Sequence, residues 1–325
     1  MARGIQVVSA FRFSADSQQL LSEAAGAPIT VLNASDDLSA KIADAEVLCS
    51  YEVPSNWRKA APKLRWLQFP GAGVDSLRPT GLLNKGSGVI VTTATGIHAS
   101  TIAEYVFGSM LMFNWNWPQM VRLQDQRIWA RSANWYNLAR KELVDQTLGI
   151  VGLGNIGRRV AHIGRAFGMR VLGMRRSSGG ADDPDIDRSY PREQLHEMLS
   201  QCDYVVISVP LTPETEKMIG EAELRAMKPT AYLVNVARGR VIDEQALIRA
   251  LREGWISGAG LDVTEEEPLP ASSPLYTMPN VILTPHISGT SVHYDERLAA
   301  LFADNLRRYR DGEPLRNRYD PERGY

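Results

Sequence analysis

The sequence predicts an α/β protein built from two doubly wound units with parallel sheets. Three observations carry that prediction. Strand-like apolar runs alternate with helix-like runs along the whole chain. The stretch Thr147–Gly157, TLGIVGLGNIG, runs from an apolar strand into Gly152-x-Gly154-x-x-Gly157 and then into a helix. A length of 325 residues accommodates two separate cores.

The elements follow in order. The first strand series is Ile5–Ala10, Ile29–Asn33, Val47–Tyr51, Leu64–Phe69 and Val89–Thr93, with helical stretches at Ser17–Ala25 and Asp37–Ala43 between them. Thr101-Ile102-Ala103-Glu104 has the S/T-x-x-E pattern of a capping box, and apolar residues continue through Met112. This predicts a long helix joining the two units. The segment Trp115–Trp135 is rich in Trp and Arg and reads as an arm or interface. The second series is Leu148–Gly152, Val171–Met174, Tyr204–Val209, Tyr232–Val236, Gly260–Val263 and Val281–Thr284, with a helix from Arg158 to about Phe167 after the first strand.

Bulk properties exclude several function classes. With 36 basic and 37 acidic residues the formal charge is −1, which gives no electrostatic reason to expect nucleic acid or a membrane surface. No apolar run approaches the ~20 residues that span a bilayer. The opening Met-Ala-Arg-Gly-Ile-Gln has no signal-peptide core, so the cytoplasm is the expected location. The two cysteines, Cys49 and Cys202, sit in apolar runs and read as buried reduced thiols. No C-x-x-C, H-E-x-x-H or other compact metal spacing occurs.

The glycine run predicts a dinucleotide site. Gly152 permits the tight turn, Gly154 lets the backbone approach a pyrophosphate, and Gly157 lets the helix pack on the strand. The helix N-terminus offers free N–H groups and partial positive charge to the phosphates. A carboxylate that bonds the ribose 2′-OH is expected about 20 residues past the glycines. Arg175-Arg176-Ser177 stand there instead, and no acid follows before Asp182. Guanidinium forks and a hydroxyl suit a 2′-phosphate. NADP(H) is therefore the expected cofactor, with NAD(H) as the weaker fit.

Further along, three predicted strands each end in polar groups: Arg238, Asp262 with Glu267, and His286. Ligands of open α/β sheets bind at the carboxyl ends of strands. A cation, a carboxylate and a histidine on one side are the parts needed to hold an anion and move a proton. In GLGNIG (Gly152–Gly157), VNVARG (Val234–Gly239), GLDVTEEEP (Gly260–Pro268) and LTPHISG (Leu283–Gly289) the chain resembles the D-isomer-specific 2-hydroxyacid dehydrogenases, from about Leu64 to the C-terminus.

The resemblance implies two Rossmann-like domains with a cleft between them. It implies a discontinuous substrate domain, residues 1–100 and 290–325, around a dinucleotide-binding domain, residues 101–289. By position it makes Arg238 the anchor of the substrate carboxylate, His286 the general acid/base and Glu267 its partner. A carboxylate beside the imidazole favours its protonated form and fixes its tautomer. Glu265 and Glu266 read as a solvated face. Asp262 matches the residue that binds the nicotinamide carboxamide, with a buried strand-end cap as the other reading. Asn155, Ile156, Val209, Pro210, Thr212, Val236, Ala237 and Gly289 become cofactor contacts. Gly71, Ala72 and Gly73 become backbone donors to the substrate carboxylate. Tyr51, Phe69 and Trp135 are candidates to shape the pocket.

Three departures stand out: Arg175-Arg176 in place of an acidic strand end, Arg240 in place of a small residue, and Asp145-Gln146 in place of a Gly-Lys pair. The implied activity is NADPH-dependent interconversion of a small 2-keto acid and its D-2-hydroxy acid, by a homodimer. Two rivals use the same scaffold: a dinucleotide-sensing corepressor-like protein, and a formate- or phosphite-type dehydrogenase.

Overall fold

A computed structural model describes residues 4–129, 142–175 and 183–325. The chain divides into two compact units, residues 1–97 with 291–325, and residues 98–290.

In the first unit, strands β1 (Val7–Ser9), β2 (Thr30–Val31), β3 (Val47–Cys49), β4 (Trp66–Gln68) and β5 (Ile90–Thr92) form a parallel sheet in the order β2-β1-β3-β4-β5. Helices α1 (Ala15–Ala25), α2 (Leu38–Lys41) and α3 (Trp57–Ala60) connect the first four strands. Side chains alternate across the sheet with period two. Val7, Val47, Cys49 and Trp66 enter one apolar cluster with α1, while Val8, Leu48 and Leu67 enter another with Trp57 and Leu77. Both faces are covered, so the strands read in sequence as short continuous apolar runs.

The second unit opens with α4 (Ala99–Asn114) and α5 (Trp117–Asp125). Its sheet contains β6 (Thr147–Val151), then α6 (Asn155–Ala166), β7 (Arg170–Met174), β8 (Arg188–Tyr190), α7 (Leu195–Leu199), β9 (Tyr204–Ile207), α8 (Glu221–Ala226), β10 (Tyr232–Asn235), α9 (Glu244–Glu253), β11 (Gly258–Leu261) and β12 (Val281–Leu283). Among the described residues the strand order is β12-β11-β10-β9-β6-β7-β8, all parallel. Leu148, Ile150, Val206 and Val234 face α4 and α6, while Val205, Ile207, Leu233 and Leu261 pack with α9 on the other side. Cys49 and Cys202 are free and buried, and burial pushes both thiols up to about 12. The last helix, α10 (Tyr294–Asp311), returns to the first unit and packs on α1. No described helix is long and apolar enough to cross a membrane.

Several local expectations need correction. The capping box at Thr101 does not form. Helix α4 starts at Ala99 with His98 as its cap, and Thr101 Oγ1 donates to the His98 carbonyl within the first turn (3.0 Å). Helix α6 begins at Asn155, three residues ahead of Arg158, because Gly157 lies inside it. Strand β8 had no apolar run to announce it, since Arg188-Ser189-Tyr190 buries only the tyrosine. It sits at the edge of the sheet.

Candidate active site

The glycine loop lies at the switch point of the larger sheet, where the strand order reverses between β6 and β9. Gly152 leaves β6 at φ 107°. A Cβ there would stand 2.8 Å from Val209 Cγ1, so a side chain is excluded twice over. At Gly157 an added Cβ would overlap the Gly152 carbonyl, so only glycine lets α6 abut the turn. Gly154 caps α6, and a Cβ on it would meet nothing within 4 Å. That open space beside a helix N-terminus with no side-chain cap fits the approach of a pyrophosphate.

Around the loop, Asn155 is exposed and Ile156 half-buried. Ser208 Oγ donates to the Gly152 carbonyl (2.8 Å), tying the end of β9 to the loop. Val209 and Thr212 are buried, and Pro210 is exposed. Thr215 Oγ1 closes this segment by donating to the Pro210 carbonyl (2.6 Å) and accepting from the Thr212 N–H (2.8 Å). Arg175 follows β7, and its backbone N–H donates to the Tyr190 carbonyl (3.0 Å). Arg176, Ser177 and Trp135 lie outside the described residues.

Arg238, Asp262 and His286 follow β10, β11 and β12, three adjacent strands, at their carboxyl ends. Asn235 shapes the first of these loops. Its Oδ1 accepts from Ala237 N–H and its Nδ2 donates to the Arg238 carbonyl, both at 3.1 Å. Val236 and Ala237 are buried there, and Arg238 Nη1 donates to the Ala237 carbonyl (2.7 Å).

Glu267 and His286 meet directly. His286 Nδ1 lies 2.7 Å from Glu267 Oε2, and Thr264 N–H donates to Glu267 Oε1 (3.1 Å). Burial alone would raise the Glu267 carboxyl. The bond and charge of His286, the Thr264 N–H and the charge of Arg238 outweigh it and hold the carboxyl below its usual range. An ionised carboxylate only accepts, so Nδ1 carries the proton and Nε2 is the nitrogen left for exchange.

Asp262 is buried at the end of β11. Its Oδ1 accepts from Thr284 Oγ1 (2.7 Å) and Ile287 N–H (2.9 Å), and its Oδ2 from Ser288 N–H (2.9 Å). Its carbonyl accepts the His286 N–H (2.8 Å). His286 sits at φ 54°, the left-handed region that costs a non-glycine residue about 1–3 kcal/mol and persists only where its surroundings fix it. The bonds to Asp262 fix it. Tyr105 on α4 extends the network through Thr284 Oγ1 (2.7 Å). Since the Thr284 proton goes to Asp262, Tyr105 is the donor. Gly289 packs against the His98 ring, 3.2 Å from its added Cβ.

In the first unit, the loop after β4 carries Gly71, Ala72 and Gly73. Its carbonyls are tied down: Pro70 accepts from Tyr294 OH and Gly71 from Ala94 N–H, both at 2.8 Å. Among the described residues, none of the three N–H groups is bonded within the chain. Phe69 is buried, and Tyr51 meets it edge-on at 5.5 Å.

Residues 107–288 match the family model of the D-isomer-specific 2-hydroxyacid dehydrogenase NAD-binding domain. A glyoxylate reductase from Korarchaeum cryptofilum is 37% identical over 255 residues, 78% of this chain and 76% of the relative. The chain belongs to the D-isomer-specific 2-hydroxyacid dehydrogenases. Solved structures agree. A family protein from Aeromonas salmonicida superposes with a TM-score of 0.83 at 34% identity, covering 98% of this chain and 100% of the other. A family member from Xanthobacter autotrophicus, solved with NADPH and MES, gives 0.81 at 29% identity over 99% and 100%.

As a 2-hydroxyacid dehydrogenase the protein is an oxidoreductase with a nicotinamide-dinucleotide domain. Two sequence departures now have physical accounts. Asp145 adopts φ 62°, a conformation that glycine enters freely and Asp tolerates better than most residues. Arg240 pairs with Glu216, and its carbonyl accepts the Lys217 N–H (2.8 Å), so it ties two loops together. The sequence reading passed over Gly239. A Cβ there would overlap the Thr264 carbonyl, so the loop that carries Glu267 rests on this glycine. Its place inside VNVARG was the only signal. The Tyr105–Thr284 link had none.

Proposed function

We propose that the enzyme reduces a small 2-keto acid, of the glyoxylate and hydroxypyruvate class, to the D-2-hydroxy acid, and that it prefers NADPH to NADH. The observation that carries this reading is the His286–Glu267 pair at 2.7 Å, on the loops after β12 and β11, the two strands that follow β10 and its Arg238 loop across the sheet. The glyoxylate reductase among the relatives supports the substrate class, and the NADPH-bound relative together with Arg175 supports the cofactor.

A dinucleotide held at the glycine loop would supply the hydride from its nicotinamide ring. The glycine turn and the α6 N-terminus hold the pyrophosphate, and Arg175 with Arg176 and Ser177 hold the 2′-phosphate. Asp262 Oδ2 accepts one protein bond and retains a lone pair for a carboxamide N–H. Asn155, Ile156, Val209, Pro210, Thr212, Val236, Ala237 and Gly289 line the rest of that site.

Arg238 and the N–H groups of Gly71, Ala72 and Gly73 hold the carboxylate. This makes residues 1–100 and 290–325 the substrate domain and 101–289 the dinucleotide domain. His286 Nε2 gives its proton to the forming alkoxide, and Glu267 balances the imidazolium charge before transfer. We also propose a homodimer. Trp115, Trp117, Val121, Ile128 and Trp129 are large apolar side chains exposed on and around α5, and a second copy of the chain would cover them.

The test is a panel of 2-keto acids assayed with NADPH and with NADH. Turnover of glyoxylate or hydroxypyruvate with NADPH favoured is the expected result. Oxidation of formate or phosphite with no 2-keto acid reduced would replace this reading.

A further inference from the structure

The first unit has its own switch point, between β1 and β3. An aromatic group gathers where those strands end. Phe11 follows β1, Tyr51 follows β3, and Phe69 follows β4. The ring of Tyr294, the first residue of α10, stacks on Phe11 at 5.9 Å. Its hydroxyl donates to the Pro70 carbonyl (2.8 Å) and meets the Tyr51 hydroxyl (2.8 Å). A phenol has one proton. The Tyr294 proton is committed to Pro70, so Tyr51 donates to Tyr294.

We propose that Tyr294 is a positioning residue for the substrate carboxylate: by bonding the Pro70 carbonyl it sets the plane of the Pro70–Gly71 peptide and so the direction of the Gly71 N–H. This rests on the reading that the Gly71–Gly73 loop holds that carboxylate. The peptide is planar and trans, so its N–H points opposite to its C=O. Fixing the carbonyl fixes the donor. Ala94 N–H does the same for the next peptide through the Gly71 carbonyl (2.8 Å), which orients the Ala72 N–H.

The support behind Tyr294 is built in. Its neighbour Asp295 accepts from Ser14 Oγ (2.6 Å) and Ser17 Oγ (2.7 Å), which pins the start of α10 to the start of α1. Burial pushes both phenols above their usual range, so each keeps its proton at neutral pH. The Gly71 side of the loop is closed as well. A Cβ at Gly71 would stand 2.8 Å from the Phe69 ring and 3.4 Å from Tyr51, so the loop cannot be stiffened there by a side chain. The hydroxyl of Tyr294 takes that task.

The experiment compares the wild type, Tyr294→Phe and Tyr309→Phe as full-length enzymes. Tyr294→Phe keeps the ring on Phe11 and loses only the hydroxyl. Its KM for glyoxylate should rise about three- to tenfold, the range of one net hydrogen bond, with kcat within about twofold. In calorimetry with NADP+ present, the dissociation constant of oxalate should rise by the same factor. Tyr309→Phe, on the same helix, loses only its hydroxyl bond to Glu46 (3.1 Å) and should change neither by more than about twofold, since it leaves the Pro70 bond in place.

A purely structural role for Tyr294 would lower Tm and change kcat together with KM. Unchanged KM and unchanged oxalate binding in Tyr294→Phe overturn the inference, as would an equal loss in Tyr309→Phe. If the wild type turns over no 2-keto acid but Tyr294→Phe still weakens oxalate, the proposed activity fails and the positioning role stands. A wild type that neither turns over a 2-keto acid nor binds oxalate ends both.

Discussion

Asp262 holds the backbone on both sides of His286. Its carbonyl accepts the N–H of His286 itself, and its carboxylate accepts the N–H groups of the next two residues. The histidine is thus kept at φ 54° by a buried anion one strand away. The imidazole reaches Glu267 from that fixed base.

Asp262→Asn tests the clamp. The amide has one acceptor oxygen, and its NH2 turns a donor toward an N–H. A lost bond facing an unpaired donor costs about 1–3 kcal/mol. We expect kcat to fall at least about tenfold and Tm to drop with it. Steady-state kinetics and thermal melts check both. A variant with normal kcat would show that His286 keeps its geometry without Asp262.

Glu267→Gln probes the proton path. Removing the charge takes away the anion that fixes the His286 tautomer, so reductive kcat/KM should fall about tenfold or more in steady-state assays. Stability has its own sign. The folded carboxyl lies below its usual value of 4.5. Its contribution is therefore complete above that value and lost as pH falls through the lower folded one. Wild type and variant should differ in denaturant midpoint at neutral pH and converge on acidification. Parallel curves at all pH values would remove the ion pair from the account.

Arg175→Ala addresses the cofactor. One charge-assisted bond to a phosphate contributes about 1.5–3 kcal/mol, roughly tenfold or more in affinity. Fluorescence titration should show weaker NADPH binding and little change for NADH. Equal losses for both would take Arg175 off the 2′-phosphate.

Gly239→Ala drives a methyl group into the Thr264 carbonyl. Backbone has to give, at about 1–3 kcal/mol. The loop that moves carries Glu267, so activity should fall along with the denaturant midpoint. A fully active, fully stable variant would mean that the two loops have slack the geometry does not suggest.

Much of this architecture was legible because steric demands leave a local trace. Gly152, Gly154 and Gly157 each answer a separate requirement within one turn, so their spacing alone identified the element. Strands buried on both faces announced themselves as apolar runs, although the runs overshot. Leu64–Phe69 shrank to β4 because Leu64 and Phe69 are buried in the flanking loops, and Val47–Tyr51 shrank to β3 because Ser50 and the exposed Tyr51 already belong to the loop. Contacts set by distant residues left no trace. Nothing near Asp262 says that its carboxylate meets Ser288, and nothing near Thr284 names Tyr105. Tyr294 escaped notice because its partner, Pro70, belongs to the opposite end of the chain.

That reunion of chain ends has a consequence for synthesis. The core of the first unit needs both: Trp66 and Phe302 meet edge-on at 5.3 Å, and α10 packs on α1. The second unit is one uninterrupted stretch, residues 98–290. On the ribosome it is therefore complete while the first unit still lacks its last helix. The usual order, in which the N-terminal domain folds first, is reversed. Until Leu298, Phe302 and Leu306 emerge, α1 alone covers the face of the small sheet bearing Val47 and Trp66, and the part left open is where a chaperone would find this chain.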